Sequence, residues 1–391
     1  MRRWPLALLP VVAACHGLFG DRTDAGDQEI ASFAEARQRA ATFYDGGDYI
    51  RAAAQYQEAL KIRPDHFMCR LGLGYSLMFA NQPSTLVDAE KEFNGIGERN
   101  DPKEEVKRVY GLGLTYRTLG AHYQRRARLR EGKGQVKGAT EDLALSREYA
   151  TKGIAQLNRV MEIDLILTQA QEAEAKRRNQ DPASLAPYRV SASLTPDAHI
   201  GIAHCEILLI DPSQPDEMEG HVQRAREHLQ KYSEIAANAR KFWELQREAL
   251  LVIDPLKEQQ QEITNDEGLK KRYEENIANT IKKEIAVRRA LFETLIYVNR
   301  FPESIEEANA ILNLDPTLDE VVYERARAYL FLKPPNRRAA LKDLKEYRSR
   351  LPVGELTDEM VQVNRAIKQL EKAIADEPPP GAPTAPPASK G

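Results

Sequence analysis

Residues 40–64 read AATFYDGGDYIRAAAQYQEALKIRP, and they contain the clearest structural pattern of the chain. Small residues alternate with aromatic ones at helical spacing on both sides of a Gly-Asp turn. The alanines let two helices approach closely, while Phe43 and Tyr56 fill the space beside the contact. Pro64 ends the second helix, because proline lacks the backbone N–H that a helix interior needs. The stretch therefore predicts two antiparallel helices joined by a short turn.

The same spacing recurs, since Gly74 lies one 34-residue period after Ala40. The pattern resembles the tetratricopeptide repeat, a helix-turn-helix unit. The resemblance implies an all-α fold, a tetratricopeptide-repeat helical solenoid with a long irregular helical insertion in the middle. In the first unit it rests on Ala40, Phe43, Gly47, Tyr49, Ala52, Tyr56, Ala59 and Pro64.

The repeat divides the chain into segments. We predict repeat units at residues 29–119 and 285–352, and an irregular region of long helices with degenerate repeats at residues 120–284. The third unit opens near Leu112, but its second helix is recognisable only from Gly153 onward, so about thirty residues are expected to be inserted there. Residues 353–376 have apolar side chains at helical spacing, and we expect a capping helix over the last repeat.

The first residues have the layout of an export signal. Residues 1–14 hold two arginines, an apolar run and small residues just before Cys15. The segment resembles the lipobox signal of bacterial lipoproteins, which implies that Cys15 is lipidated; an ordinary signal peptide cut after Ala14 is the alternative. In the resembled class, His16 after the cysteine points to the outer membrane. We therefore expect a lipid-anchored protein on its periplasmic face.

Two further segments lack helical periodicity. Residues 15–28 read as a flexible tether between the anchor and the folded part. Residues 377–391, EPPPGAPTAPPASKG, form a proline-rich tail that favours extended polyproline II. We expect a disordered end, with a docking peptide for a proline-reading partner or a spacer as the alternatives.

Composition limits the classes of function. A net charge of −3 gives no global bias toward nucleic acid, and 29% charged with 7% aromatic residues suits a helical array. No phosphate-binding loop or nucleophile motif occurs, so no catalytic residue and no cofactor is expected. The pairs Gly72-x-Gly74 and Gly111-x-Gly113 lie inside helical patterns, where close packing explains them.

The histidines and cysteines suggest no metal site. His199 and His204 are five residues apart, about 140° around a helix, which is poor geometry for one ion. We expect buried or surface histidines, and no metal ligand, among His199, His204, His221 and His228. Cys69 and Cys205 are distant along a solenoid and therefore distant in space, so both are predicted to be buried thiols.

The resemblance also implies a binding surface. In the tetratricopeptide family the first helix of each unit lines a groove that receives peptides or partner helices. Tyrosine, arginine and methionine supply much of the contact energy at interfaces, although here they could instead cover the packing between repeats. The residues carried over to groove-facing positions are Arg37, Tyr44, Tyr75, Met78, Tyr110, Arg117, Tyr323 and Arg327.

A basic run stands inside the expected insertion. It holds Arg125, Arg126, Arg128 and Arg130, followed by Lys133 and Lys137, with Glu131 as its one acidic residue. Because two glycines interrupt it, we expect an exposed helix end and loop. The run is either a solvated surface or a contact for an anionic component of the envelope, such as lipid headgroups or an acidic protein patch.

These features together favour a non-catalytic scaffold. We expect a membrane-anchored lipoprotein that binds cell-envelope proteins and assists the assembly or maintenance of an envelope complex. The alternatives are an accessory subunit or envelope enzyme with a site in residues 120–284, and a surface-displayed structural protein.

Overall fold

The computed structural model describes residues 27–179, 193–251, 266–351 and 357–376. Within these residues the chain forms thirteen α-helices and no β-strand, which confirms the all-α class. Cys15, the leader and the proline-rich tail lie outside the described residues. The helices are α1 (Asp27–Asp45), α2 (Tyr49–Ile62), α3 (Phe67–Ala80), α4 (Pro83–Ile96), α5 (Pro102–Glu131), α6 (Val136–Arg177), α7 (Thr195–Leu209), α8 (Pro215–Leu251), α9 (Asp266–Tyr297), α10 (Phe301–Leu314), α11 (Asp319–Phe331), α12 (Arg337–Arg350) and α13 (Asp358–Ala375).

The first hairpin, α1 and α2, forms as its sequence predicts. Gly47 has a φ of +77°, a conformation that other residues rarely adopt, and so permits the tight turn. Asp48 caps α2 by accepting a hydrogen bond from the Arg51 backbone N–H at 3.2 Å. Three alanines at the contact between the two helices are fully buried: Ala40, Ala52 and Ala59.

Successive hairpins stack in chain order. The second helix of each hairpin packs on the first helix of the next, so that α2 lies against α3, α4 against α5 and α6 against α7. The first helices also meet, because α5 packs against both α3 and α7. Pro83 opens α4 and Pro102 opens α5, both at the first helical turn where proline loses no hydrogen bond.

Long helices occupy the central region, as predicted. The extra residues of the third unit lengthen both of its helices, since α5 has 30 residues and α6 has 42. A short turn, residues 132–135, joins them. Helices α7 and α8 then pair as the next hairpin, at the place where a degenerate repeat is expected.

Glycines set the spacing between hairpins. A methyl group at Gly111 of α5 would fall 2.4 Å from Phe93 Cζ, and one at Gly74 of α3 would fall 2.8 Å from Cε1 of the same ring. The Phe93 ring therefore packs directly against the backbone of both α3 and α5. Leu157 of α6 lies in the same way on Gly113 and Gly201. These contacts explain the Gly-x-Gly pairs as packing positions.

The chain divides into two compact units, residues 1–287 and 288–391, with the boundary inside α9. In the second unit α10, α11, α12 and α13 pack on one another in sequence. Helix α13 lies where a capping helix is expected, and its apolar residues Val363, Ile367 and Leu370 are buried in a core shared with Leu344 and Tyr347. None of the described helices is both long and apolar enough to cross a bilayer.

Candidate functional site

The residues predicted to face a partner on the first unit separate into buried and accessible ones. Met78 is 5% exposed and Tyr110 is 4% exposed, so neither presents a surface to a partner in this structure. The Tyr110 hydroxyl donates to Asp197 Oδ2 on α7 at 3.1 Å, and burial raises the pKa of this tyrosine. In this structure the side chains of Met78 and Tyr110 therefore contribute to packing between helices.

Four of the predicted residues remain accessible on the first unit. Arg37 is exposed, and Tyr44, Tyr75 and Arg117 are half-buried. They lie on α1, α3 and α5, the first helices of three consecutive hairpins, and half-buried Lys107 of α5 adjoins them. We call these five residues, Arg37, Tyr44, Tyr75, Lys107 and Arg117, the first-helix face.

Aromatic side chains make the centre of this face. The ring of Phe79 lies 6.0 Å from that of Tyr44, 5.1 Å from that of Tyr49 and 6.2 Å from that of Tyr75. The Tyr75 hydroxyl donates to the backbone carbonyl of Lys107 at 2.7 Å, which joins α3 to α5. The rings are thus fixed before any partner arrives, and rigid aromatic side chains are effective interface anchors.

Three cations lie on the first helices that carry this face, Arg37 on α1 and Lys107 and Arg117 on α5. Within the described residues, Arg37, Lys107 and Arg117 form no ion pair. Most arginines elsewhere are paired; Arg240 with Glu284 and Arg325 with Asp343 are examples. The face therefore carries positive charge that its own carboxylates do not neutralise, which favours an acidic partner.

The second unit holds the last two predicted residues. The ring of Tyr323 is half-buried and lies 5.0 Å from that of Tyr347. Arg327 is exposed, and its Nη1 lies 2.9 Å from Glu324 Oε1. This pair offers a weaker site, because one residue packs inward and the charge of the other is compensated.

The sequence did not predict a polar contact that joins α5, α7 and α9 beside the first-helix face. Asp197 accepts from Tyr110, and its other oxygen lies 2.7 Å from Lys283 Nζ on α9. The three residues are far apart in the chain and fit no motif. Their contact could be anticipated only from the order in which the helices pack.

Two histidines of α7 and α8 contact each other, and a third contacts a buried glutamate. The Nδ1 atoms of His199 and His228 are 2.8 Å apart, and His221 Nδ1 lies 2.5 Å from Glu206 Oε2. Among the described residues no group of three histidine, cysteine or carboxylate side chains could hold a metal ion. Cys69 and Cys205 are both buried thiols, as predicted.

Burial of His199 gives the fold a dependence on pH. Burial and the neighbouring His228 lower the pKa of His199 to about 4, whereas the unfolded chain has a histidine pKa of about 6.5. Below about pH 6.5 the unfolded state binds a proton at this histidine that the folded state does not bind. The free energy of unfolding therefore falls as pH decreases. We expect a loss of about 2 kcal/mol between pH 7 and pH 5 from this residue.

Urea unfolding at both pH values, followed by circular dichroism, measures this loss. His199→Gln, which keeps a polar partner for His228, should remove that part of the pH dependence. An unchanged pH dependence in the variant would show that His199 is not the group responsible.

Comparison with known proteins adds little. No protein-family model matches the sequence, and no curated protein matches it. Among solved structures, the TPR domain of P58(IPK) aligns with 88% of this chain and 99% of its own, at 13% identity and a TM-score of 0.22. Yeast Tom70 aligns with 88% of this chain and 89% of its own, at 12% identity and a TM-score of 0.21. These values are too low to carry a function from either protein to this chain.

Proposed function

We propose that this protein is a non-catalytic scaffold that binds an acidic segment of another protein on the first-helix face. The observation that carries the proposal is the fixed aromatic centre, together with Arg37, Lys107 and Arg117 on the same row of first helices, which form no ion pair among the described residues. Aromatic and arginine side chains dominate the energy of protein interfaces, and uncompensated charge steers an oppositely charged partner.

The proposal includes attachment to the cell envelope. Cys15 in its lipobox-like setting supplies the anchor, and a lipidated amino terminus holds the repeat units on the periplasmic side of the outer membrane. A scaffold in that position assists the assembly or maintenance of an envelope complex. The sequence of the leader supports the proposed membrane attachment, and the first-helix face supports the proposed partner binding.

The test is a crosslinking pull-down from isolated envelopes. The face variant Arg37→Ala with Arg117→Ala should lose at least about tenfold in recovery of the partner, because both changes remove charge from accessible positions of the face. The matched control is Arg338→Ala with Lys342→Ala, which removes the same charge from exposed positions of α12. Equal recovery with the face variant and the control would contradict the assignment of this face.

The anchor is tested in the same preparation. Cys15→Ser should shift the protein to the soluble fraction or leave it unprocessed. Processed protein that stays in the membrane would place the anchor elsewhere, while the result for the face variant would still stand.

A further inference from the structure

The cations of the basic run fall into two groups, one paired within the hairpin and one that forms no ion pair with any described residue. Arg126 pairs with Asp142, and Arg130 Nη1 lies 3.1 Å from Asp142 Oδ2. Asp142 is 1% exposed, so this carboxylate is held inside the hairpin by the two arginines. The Arg130 guanidinium also donates to the Gly138 carbonyl at 3.0 Å. Arg126 and Arg130 therefore hold α5 against α6. The other cations of the run are the ones that an anionic partner would contact.

The second group has no such role. Arg125 and Arg128 are exposed, as are Lys133 and Lys137, and within the described residues none of the four forms an ion pair. Every residue from 131 to 137 is exposed, and Glu131 is the one acidic residue of the group. We call residues 125–137 the hairpin tip. Its free charge is strongly positive.

Two large apolar side chains stand among these cations. Leu129 is 61% exposed at the end of α5, and Val136 is 69% exposed at the start of α6. Both flank the turn, one on each helix. Exposed apolar residues inside a cationic surface suit the boundary between lipid headgroups and acyl chains, where charge and apolar area both contribute to binding.

The hairpin tip extends past the neighbouring helix. Leu208, near the end of α7, packs at Gly120, and the Ser146 hydroxyl donates to the Gly120 carbonyl at 2.8 Å. Helix α5 continues from there to Glu131, about 16 Å further at 1.5 Å per residue. The exposed end is therefore presented away from the core of the first unit.

The turn at this end is well defined. Gly134 has a φ of +72°, and its backbone N–H donates to the Glu131 carbonyl at 2.9 Å. The Gln135 N–H donates to the Arg130 carbonyl at 2.9 Å. Docking therefore requires little ordering of the backbone, which leaves more of the contact energy for binding.

We propose that the hairpin tip docks on an anionic lipid surface. Arg125, Arg128, Lys133 and Lys137 contact lipid phosphates, and Leu129 and Val136 enter the headgroup boundary. This contact is independent of the acyl anchor and of the first-helix face. A basic side chain close to an anionic bilayer strengthens binding by about fivefold, so four of them give a large effect at low salt.

Cosedimentation with vesicles tests this proposal. The full chain with Cys15→Ser is used, so that no acyl chain contributes, and vesicles of phosphatidylcholine with phosphatidylglycerol are compared with phosphatidylcholine alone. We expect binding to the anionic vesicles that weakens as salt rises. Equal binding to both kinds of vesicle would overturn the proposal.

Three variants of this chain locate the contact. Changing Arg125, Arg128, Lys133 and Lys137 to glutamine should reduce anionic-vesicle binding more than tenfold, and Leu129→Ser with Val136→Ser should reduce it severalfold. A matched control changes four exposed cations elsewhere to glutamine: Lys241, Arg338, Lys342 and Arg348. Circular dichroism confirms that each variant is folded.

The results of these vesicle experiments can be distinguished from a failure of the proposed scaffold function. Loss of vesicle binding in the control as well as in the tip variant would mean that overall charge is responsible, and the proposal fails. Unchanged vesicle binding by the tip variant, with loss of crosslinks to an acidic protein, would assign the tip to a protein partner and also overturn it.

Discussion

Phe93→Ala is expected to lower the free energy of unfolding of the first unit by about 3–5 kcal/mol. The side chain is fully buried, and its ring contacts the backbone strips of α3 and α5 at Gly74 and Gly111. Removing the ring leaves a cavity between two hairpins, and the glycines on either side have no side chain that could fill it. Urea unfolding followed by far-UV circular dichroism measures the change.

Phe331→Ala is the matched control. Its ring is 54% exposed on α11, so its loss should cost less than about 1 kcal/mol. If the two variants unfold at the same urea concentration, Phe93 is not the contact that joins the second and third hairpins.

Glu105→Leu is the second change with a large expected effect. Glu105 is 3% exposed and Arg108 is 6% exposed; Arg108 Nη2 lies 2.6 Å from Glu105 Oε1. Burial alone raises the pKa of Glu105, but its hydrogen bonds with Arg108 and Arg99 outweigh burial and lower it overall. Without the carboxylate the Arg108 guanidinium is left buried and unpaired, at a cost of about 3–5 kcal/mol in unfolding free energy.

A second substitution distinguishes the cost of the unpaired buried charge from the cost of lost packing. The double variant Glu105→Leu with Arg108→Met replaces the pair by apolar side chains and should recover most of the lost stability, since such replacements of buried ion pairs are often neutral. Thermal unfolding of both variants makes the comparison. A double variant as unstable as the single one would point instead to two other lost contacts of Glu105. These are the hydrogen bond from the Arg99 backbone N–H and the ion pair with Arg159, whose Nη2 lies 3.4 Å from Glu105 Oε1.

The hairpins could be predicted because small and aromatic residues report directly on helix contacts. Ala52 and Phe93 are both fully buried, at positions where the repeat places a close approach and a filled gap. The Gly-x-Gly pairs are likewise explained by the packing that the sequence indicates. Local spacing and side-chain volume suffice for these features, since both partners lie within one or two units.

That the inserted residues would extend both helices of the third hairpin could not be predicted, because its far end lacks an apolar stripe. The residues buried there are Ala127, Ala139 and Asp142, which are small or charged. A search for apolar periodicity finds no signal in such a segment. The pairing of Arg126 with Asp142 was accessible in principle, since the two residues are equally distant from Gly134, but only once the two helices are known to meet there.

The exposure of the face residues also lay beyond sequence reasoning. The repeat pattern places Tyr110 on a groove-facing position, yet Asp197 from a helix much later in the chain covers its hydroxyl. Tyr44 and Tyr75 stay partly accessible, although each packs against neighbouring rings. The exposure of a position on one repeat depends on the helix that packs beside it. The sequence of a single repeat therefore does not predict that exposure.

Helix α6 is continuous from Val136 to Arg177, and its length sets a distance between exposed sites along it. Val136 begins the helix at the hairpin tip, and the exposed apolar pair Leu165 and Ile166 follows about 45 Å away at 1.5 Å per residue. The helix contains no proline over this distance, and it continues through its two glycines, Gly138 and Gly153. A molecule engaged beside Leu165 would therefore be held at a set distance from any surface that the turn at Gly134 touches.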